Sequence, residues 1–151
     1  MQLSETDKAY AAGIIDGEGC ICIRHKRNQK NVNSVDITMC ERETIEYMAK
    51  LMGSKVHTIV GEGTLKRPRY TTALHSQKAR DFLVEILPYL RNKRAEATLF
   101  LDFGVLGAFK HYSRGGVPLE VQSTRDTIAR MLKNAKRGGL VSFREQGDNN
   151  G

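Results

Sequence analysis

The sequence predicts an α+β domain in which helices and β-hairpins take turns along the chain. Three observations predict it. Between Ala9 and Ile23 the apolar spacing is helical up to Glu18 and switches to period two at Gly19. Two later stretches, 20–40 and 56–75, alternate apolar and polar residues on either side of a polar or glycine-rich centre, as hairpins do. Stretches 41–52, 77–90 and 92–106 return to helical spacing. The order is helix, hairpin, helix, hairpin, then helices. At 151 residues this is one domain, 1–151, with enough chain to bury a core and too little for two ordinary domains.

In the first helix, Ser4 or Thr6 can cap the N-terminus and Asp7 complements the positive end of its dipole. Ala9, Gly13 and Gly17 recur every fourth residue, so one face carries nothing longer than a methyl group. A glycine inside a helix costs about 1 kcal/mol against alanine. Close approach of a second helix explains Gly13. Asp16 and Glu18 end this helix, where the dipole already disfavours negative charge. Two carboxylates there fit a shared hard cation such as Mg²⁺. They equally fit a solvated helix end in a glycine-rich turn.

Beyond Gly19, Ile21 and Ile23 point one way and Cys20, Cys22, Arg24 and Lys26 the other. A polar loop, Lys26 to Asn33, leads to a strand in which Val35, Ile37 and Met39 alternate with Ser34, Asp36, Thr38 and Cys40. The polar face so formed, with Asn28 in the loop, has the width of a ribbon that enters a DNA major groove, and also the composition of a solvated sheet face. Glu41 to Met52 is helical through Ile45, Met48, Ala49 and Met52, with Gly53 as its stop. The second hairpin has strands Val56–Val60 and Tyr70–His75, the latter including Thr71. Its tip, GEGTLKRPR, carries Lys66, Arg67 and Arg69, which suit phosphate contacts. Gly61 and Gly63 are turn residues, since no Gly-Lys-Ser/Thr follows them.

Gln77 to Leu90 is a helix that Ser76 can cap and Pro88 interrupts, and Asn92 to Leu106 is the next. Gly104 to Pro118 connects to a last helix, Ser123 to Ala135, which buries Ile128, Met131 and Leu132. The tail QGDNNG is exposed and flexible by composition.

The net charge of +7 and a pI near 9.5 favour a polyanionic partner. The excess lies beyond the acidic pair: residues 51–100 carry nine Lys or Arg against four Asp or Glu. No apolar run approaches membrane-spanning length and MQLSETDK has no signal-peptide pattern, so a soluble, intracellular protein without a membrane partner is expected. Cys20, Cys22 and Cys40 are odd in number and read as free thiols. No CxxC or histidine cluster completes a ligand set, so zinc is not expected; His25, His57, His75 and His111 are scattered.

The run AAGIIDGEG, Ala11 to Gly19, resembles the nonapeptide that names the LAGLIDADG homing endonucleases. Gly13, Ile15, Asp16 and Gly19 match it, Ala11 and Ile14 stand where leucine is usual, and Glu18 replaces the second aspartate. A later stretch, LPYLRNKRAEATLFL, Leu87 to Leu101, is also similar to that family, and the resemblance covers about the first two thirds of the chain. It implies an αββαββα fold whose curved antiparallel sheet is a DNA-binding saddle, with a core of about 5–107, a C-terminal helical extension of about 108–140, and a tail. One motif copy implies a homodimer, with Ala9, Ala12, Gly13, Asp16 and Gly17 at the interface, and a long palindromic or pseudo-palindromic double-stranded DNA target.

The resemblance further implies that Glu18 is the metal-binding acid, holding Mg²⁺ with Mn²⁺ as a substitute, and that Asp16 braces the helix pair. Lys93 matches the family's active-site lysine, with Arg91 and Arg94 as competitors. Cys40 stands where the family often has Gln or Asn, and Arg42 is the residue nearest to hand to compensate. The implied DNA-binding set is therefore Cys22, Arg24, Lys26, Asn28, Ser34, Asp36, Thr38, Cys40, Arg42, Lys66, Arg67, Arg69 and Thr71. The implied function is site-specific, metal-dependent hydrolysis of both strands in intron homing. A non-cleaving maturase or regulator on the same fold is the alternative, and RNA is a partner only under it. A chance match within an unrelated basic protein is the third reading.

Overall fold

The computed structural model describes residues 3–24, 32–60, 67–104 and 118–136. In chain order these form α1 (Glu5–Glu18), β1 (Gly19–Arg24), β2 (Val32–Met39), α2 (Arg42–Met52), β3 (Val56–Ile59), β4 (Arg69–His75), α3 (Ser76–Ile86), a 3-10 turn (Leu87–Tyr89), α4 (Arg94–Phe103) and α5 (Leu119–Ala135). The strands make one antiparallel sheet in the order β1-β2-β4-β3. The mixed α+β architecture and the alternation of helices with hairpins are those the sequence predicts.

One face of the sheet carries the core. Ile21, Val35, Ile37 and Leu74 point there and meet Ala11, Ala12 and Ile15 of α1, Ile45 and Met48 of α2, Phe82, Leu83 and Ile86 of α3, and Phe100 of α4. Period-two strands and amphipathic helices bury their apolar sides against each other, which is the main source of stability in such a layer. A smaller cluster joins α5: Phe103 and Ile128 are buried together, with Ile23 and Leu99 against them.

Local chemistry sets the boundaries. Ser4 caps α1, accepting from the Asp7 N–H at 3.1 Å while its hydroxyl donates to the Asp7 carboxylate at 2.6 Å. At the other end α1 passes into β1 without a connecting loop, and a Cβ on Gly19 would lie 2.8 Å from the Ile15 Cα and carbonyl oxygen. Only glycine fits that turn. Gly53 ends α2 with φ 62°, and the Gly53 and Ser54 N–H groups return to Lys50 and Ala49 carbonyls.

Two expectations are corrected here. Ser76 does not cap α3; it is the first helical residue, with φ 51°, and His75 precedes it without a side-chain cap. α5 starts at Leu119, ahead of Ser123, and inside it the Thr124 and Thr127 hydroxyls bond back to the Glu120 and Ser123 carbonyls. Among the described residues no helix is long and apolar enough to cross a membrane. The predicted connection over 105–117, the tip of the second hairpin over 61–66 and the C-terminal tail lie outside the described residues.

Candidate functional site

The last turn of α1 is tied to the start of α4. Both Asp16 carboxylate oxygens accept backbone N–H groups, from Arg91 at 2.7 Å and Lys93 at 2.9 Å. Lys93 completes the tie, its ammonium donating to the Ile15 carbonyl at 2.9 Å and the Asp16 carbonyl at 2.8 Å. Helix-end carbonyls lack intrahelical partners, and a cation there opposes the negative end of the dipole. Burial pushes the Asp16 carboxyl up, but the N–H groups of Lys93, Arg91 and Asn92 and the charge of Lys93 outweigh it and hold the carboxyl below its usual range. Arg91 meets Asp16 through its backbone alone, and the Arg91 and Arg94 side chains are exposed.

Glu18, two residues beyond Asp16, is different. It is exposed, and among the described residues nothing hydrogen-bonds or ion-pairs with its carboxylate. One acid is tied to the backbone leading into α4, and the other has no partner among the described residues. An exposed carboxylate suits a hard, oxygen-seeking cation, whereas each Asp16 oxygen already accepts a backbone N–H.

Along α1, Ala9, Gly13 and Gly17 are exposed, and a Cβ added at Gly13 or Gly17 would meet nothing within 4 Å. The small-residue stripe is bare. Ala12 corrects one expectation: it is fully buried in the core of its own chain and lies behind the stripe.

The face of the sheet opposite the core holds Cys22, Ser34, Asp36, Thr38, Arg69 and Thr71 of the predicted set. Strand pairing sets Cys20 opposite Asp36, Cys22 opposite Ser34, and Thr38 opposite Thr71. The Thr38 hydroxyl donates to the Thr71 hydroxyl at 2.9 Å, which donates onward to the Ile37 carbonyl at 2.9 Å. Ser34 donates to Asp36 at 3.0 Å and is itself buried. Arg67 and Arg69 are exposed, Arg69 paired with Ile59 at the edge, and Arg24 closes β1 against Val32 through its backbone. Lys26, Asn28 and Lys66 lie outside the described residues.

Cys40 is exposed just beyond β2. Arg42, close by, donates to Glu46 at 2.7 Å and lies 5.7 Å from the centre of the Tyr70 ring, which packs on the helix side of the sheet. Its guanidinium is thereby turned away from Thr38 and Thr71.

Sequence reasoning missed one grouping. The thiols of Cys20 and Cys22 stand 3.1 Å apart, a carboxylate oxygen of Asp36 is within 4.8 Å of both, and the Lys136 ammonium reaches the sulfurs at 3.3 and 3.7 Å from the end of α5. Glu96 of α4 adds a carboxylate whose charge acts on Lys136. The only advance signal is the hairpin register, which no single strand displays.

No family model and no curated protein matches the sequence. Solved structures do match the fold. The homing endonuclease I-CvuI in complex with its target, in the presence of Ca, aligns over 86% of this chain and 82% of its own, with 19% identity and a TM-score of 0.69. The archaeal intron-encoded homing endonuclease I-Vdi141I complexed with DNA aligns over 87% and 84%, with 15% identity and a TM-score of 0.67. The homing endonuclease I-TnaI aligns over 93% of this chain and 100% of its own, with 18% identity and a TM-score of 0.59. With an α1 that ends in Asp16 and Glu18 and packs on an antiparallel sheet, the chain has the fold of the LAGLIDADG homing endonucleases.

Proposed function

We propose that the chain is a site-specific DNA endonuclease of the homing type. It acts as a homodimer on a long, pseudo-palindromic duplex and hydrolyses both strands with a divalent metal. The observation that carries this reading is the division of labour at the end of α1: Asp16 is locked into the fold, while the Glu18 carboxylate is exposed and has no partner among the described residues. Nothing in the stability of the chain calls for an unpaired acid at the negative end of a helix.

The bare stripe beside it supports the dimer. Ala9, Gly13 and Gly17 let a second α1 approach closely, which brings the second Glu18 alongside the first. This chain also covers 43% of the length of the meganuclease I-AabMI bound to uncleaved DNA, so two copies correspond in length to about one of that chain.

The two Glu18 carboxylates would hold Mg²⁺, or Mn²⁺ in its place. When bound, such an ion lowers the pKa of its water and offsets charge on the leaving oxygen. The rest falls to the chain itself. Asp16 fixes the direction in which α1 delivers Glu18. Lys93 spends two of its three N–H donors on the helix-end carbonyls and keeps one, with its charge, for a phosphate. Thr38, Thr71 and Arg69 face outward from the sheet, where the nuclease neighbours solved with DNA motivate a duplex.

The test is cleavage of a randomised palindromic duplex library with Mg²⁺, comparing wild type, Glu18→Gln and a metal-free control. Linear products sharing one motif, from wild type with metal alone, are expected. Selective binding without cleavage under any divalent metal would transfer the reading to a maturase or regulator.

A further inference from the structure

We propose that Cys20, Cys22 and Asp36 form a thiolate-rich site for Zn²⁺ on the open face of the sheet, and that the Lys136 ammonium stands in for the metal's charge in the metal-free chain. The inference does not depend on nuclease activity. Its basis is the β1–β2 register, which pairs Cys20 with Asp36 and leaves Cys22 one step along on the same face. The three donor atoms lie within 4.8 Å of one another, and each residue is partly buried.

The donor set selects the ion. Two thiols are soft ligands that favour Zn²⁺ over Mg²⁺ or Ca²⁺, and an aspartate oxygen completes three protein ligands with a fourth position open. Thiolates about a tetrahedral Zn²⁺ sit about 3.8 Å apart. The observed 3.1 Å has to widen by a small side-chain rotation. A disulfide is the poorer fate for these sulfurs: residues two apart in an extended strand hold their Cα atoms roughly 6.6 Å apart, at the edge of the range a disulfide tolerates.

A second, independent observation is the cation already present. Lys136 comes from the far end of the described chain to place its ammonium 3.3 Å from the Cys20 sulfur and 3.7 Å from that of Cys22. A positive charge is thus already seated at the cluster. Lys136 also has somewhere to go: Glu96 has a buried carboxylate oxygen with no hydrogen-bond partner among the described residues, and its charge already acts on Lys136. Ser34 donates to Asp36 at 3.0 Å, a hydrogen bond of the kind that orients a ligating carboxylate.

The experiment is titration of the reduced full-length protein with Co²⁺ as the probe, read by the thiolate-to-cobalt charge-transfer absorption, followed by displacement with Zn²⁺. One equivalent should produce the band in wild type and in Cys40→Ser. Cys22→Ser and Asp36→Asn should weaken affinity roughly tenfold or more, given that even outer-shell partners cost that much. Lys136→Met should bind more tightly than wild type. Zn²⁺ should also shield two of the three thiols from a thiol reagent and leave Cys40 reactive. Absence of the band in wild type, or a band unchanged by Cys22→Ser and Asp36→Asn, overturns the assignment. The wild-type titration and thiol protection decide the matter even if a variant fails to fold.

Discussion

Asp16 and Lys93 hold each other in both directions: the Asp16 carboxylate accepts the Lys93 backbone N–H at 2.9 Å, and the Lys93 ammonium donates to the Asp16 carbonyl at 2.8 Å. The pair closes the end of α1 onto the start of α4 across 77 positions of sequence. It is a structural clasp at the edge of the proposed catalytic centre, so changes to either residue should be felt first in the fold.

Asp16→Asn should destabilise the chain at neutral pH by about 1–3 kcal/mol, the usual cost of breaking hydrogen bonds to a charged group. The effect carries a pH signature. Because the folded carboxyl lies below the ordinary aspartate value of about 3.8, its contribution is fully present above that value and is lost as the pH falls through the lower folded one. Urea unfolding of wild type and variant should therefore show a gap at pH 7 that narrows in acid below about pH 4. A gap that stays constant would mean the carboxylate charge is not what stabilises the clasp.

Lys93→Met should loosen the last turn of α1 specifically. The ammonium shares the Ile15 carbonyl with the Gly19 N–H, the bond that closes the helix. Amide exchange at Gly19 should quicken in the variant while the Ile45 and Leu83 amides of α2 and α3 keep their protection. Uniform acceleration across all three helices would instead mark a global loss of stability.

Gly19→Ala tests the loopless passage from α1 to β1. The new Cβ would meet backbone atoms of Ile15 at 2.8 Å, and backbone cannot swing aside as a flexible side chain does. Overpacking of this kind costs about 1–3 kcal/mol. A thermal melt indistinguishable from wild type would show that the turn relaxes at no cost.

The sequence displayed the elements well because their signals are local: the change of period at Gly19, the glycine stop at Gly53 and the apolar faces of α2 and α3 are each contained in a short window. It also displayed the motif acids. What it could not display is which acid is spoken for. Asp16 finds its donors at Arg91 and Lys93, and Cys20 finds Asp36 through the hairpin register, so both relationships exist only once distant segments are packed. Arg42 is the opposite case: its partner Glu46 lies one turn along α2, a pairing contained in a short window of sequence.

The stripe on α1 gives the sharpest contrast between neighbouring residues. Ala12 is fully buried in its own core, whereas a Cβ on Gly13 meets only open space. Ala12→Leu should therefore cost about 1–3 kcal/mol of stability by overpacking. Gly13→Leu should leave the folded subunit intact, and its melting temperature at low concentration should not fall, since glycine is the poorer helix former by about 1 kcal/mol against alanine. Under the proposed dimer, the added leucine instead stands where a second α1 must come close. Analytical ultracentrifugation should then find wild type as a dimer and Gly13→Leu as a folded monomer, with cleavage lost in step with the dimer. A wild-type chain that remains monomeric well above the concentrations that support activity would remove the shared Glu18 site. A Gly13→Leu dimer as tight as wild type would place the interface on another face of the molecule.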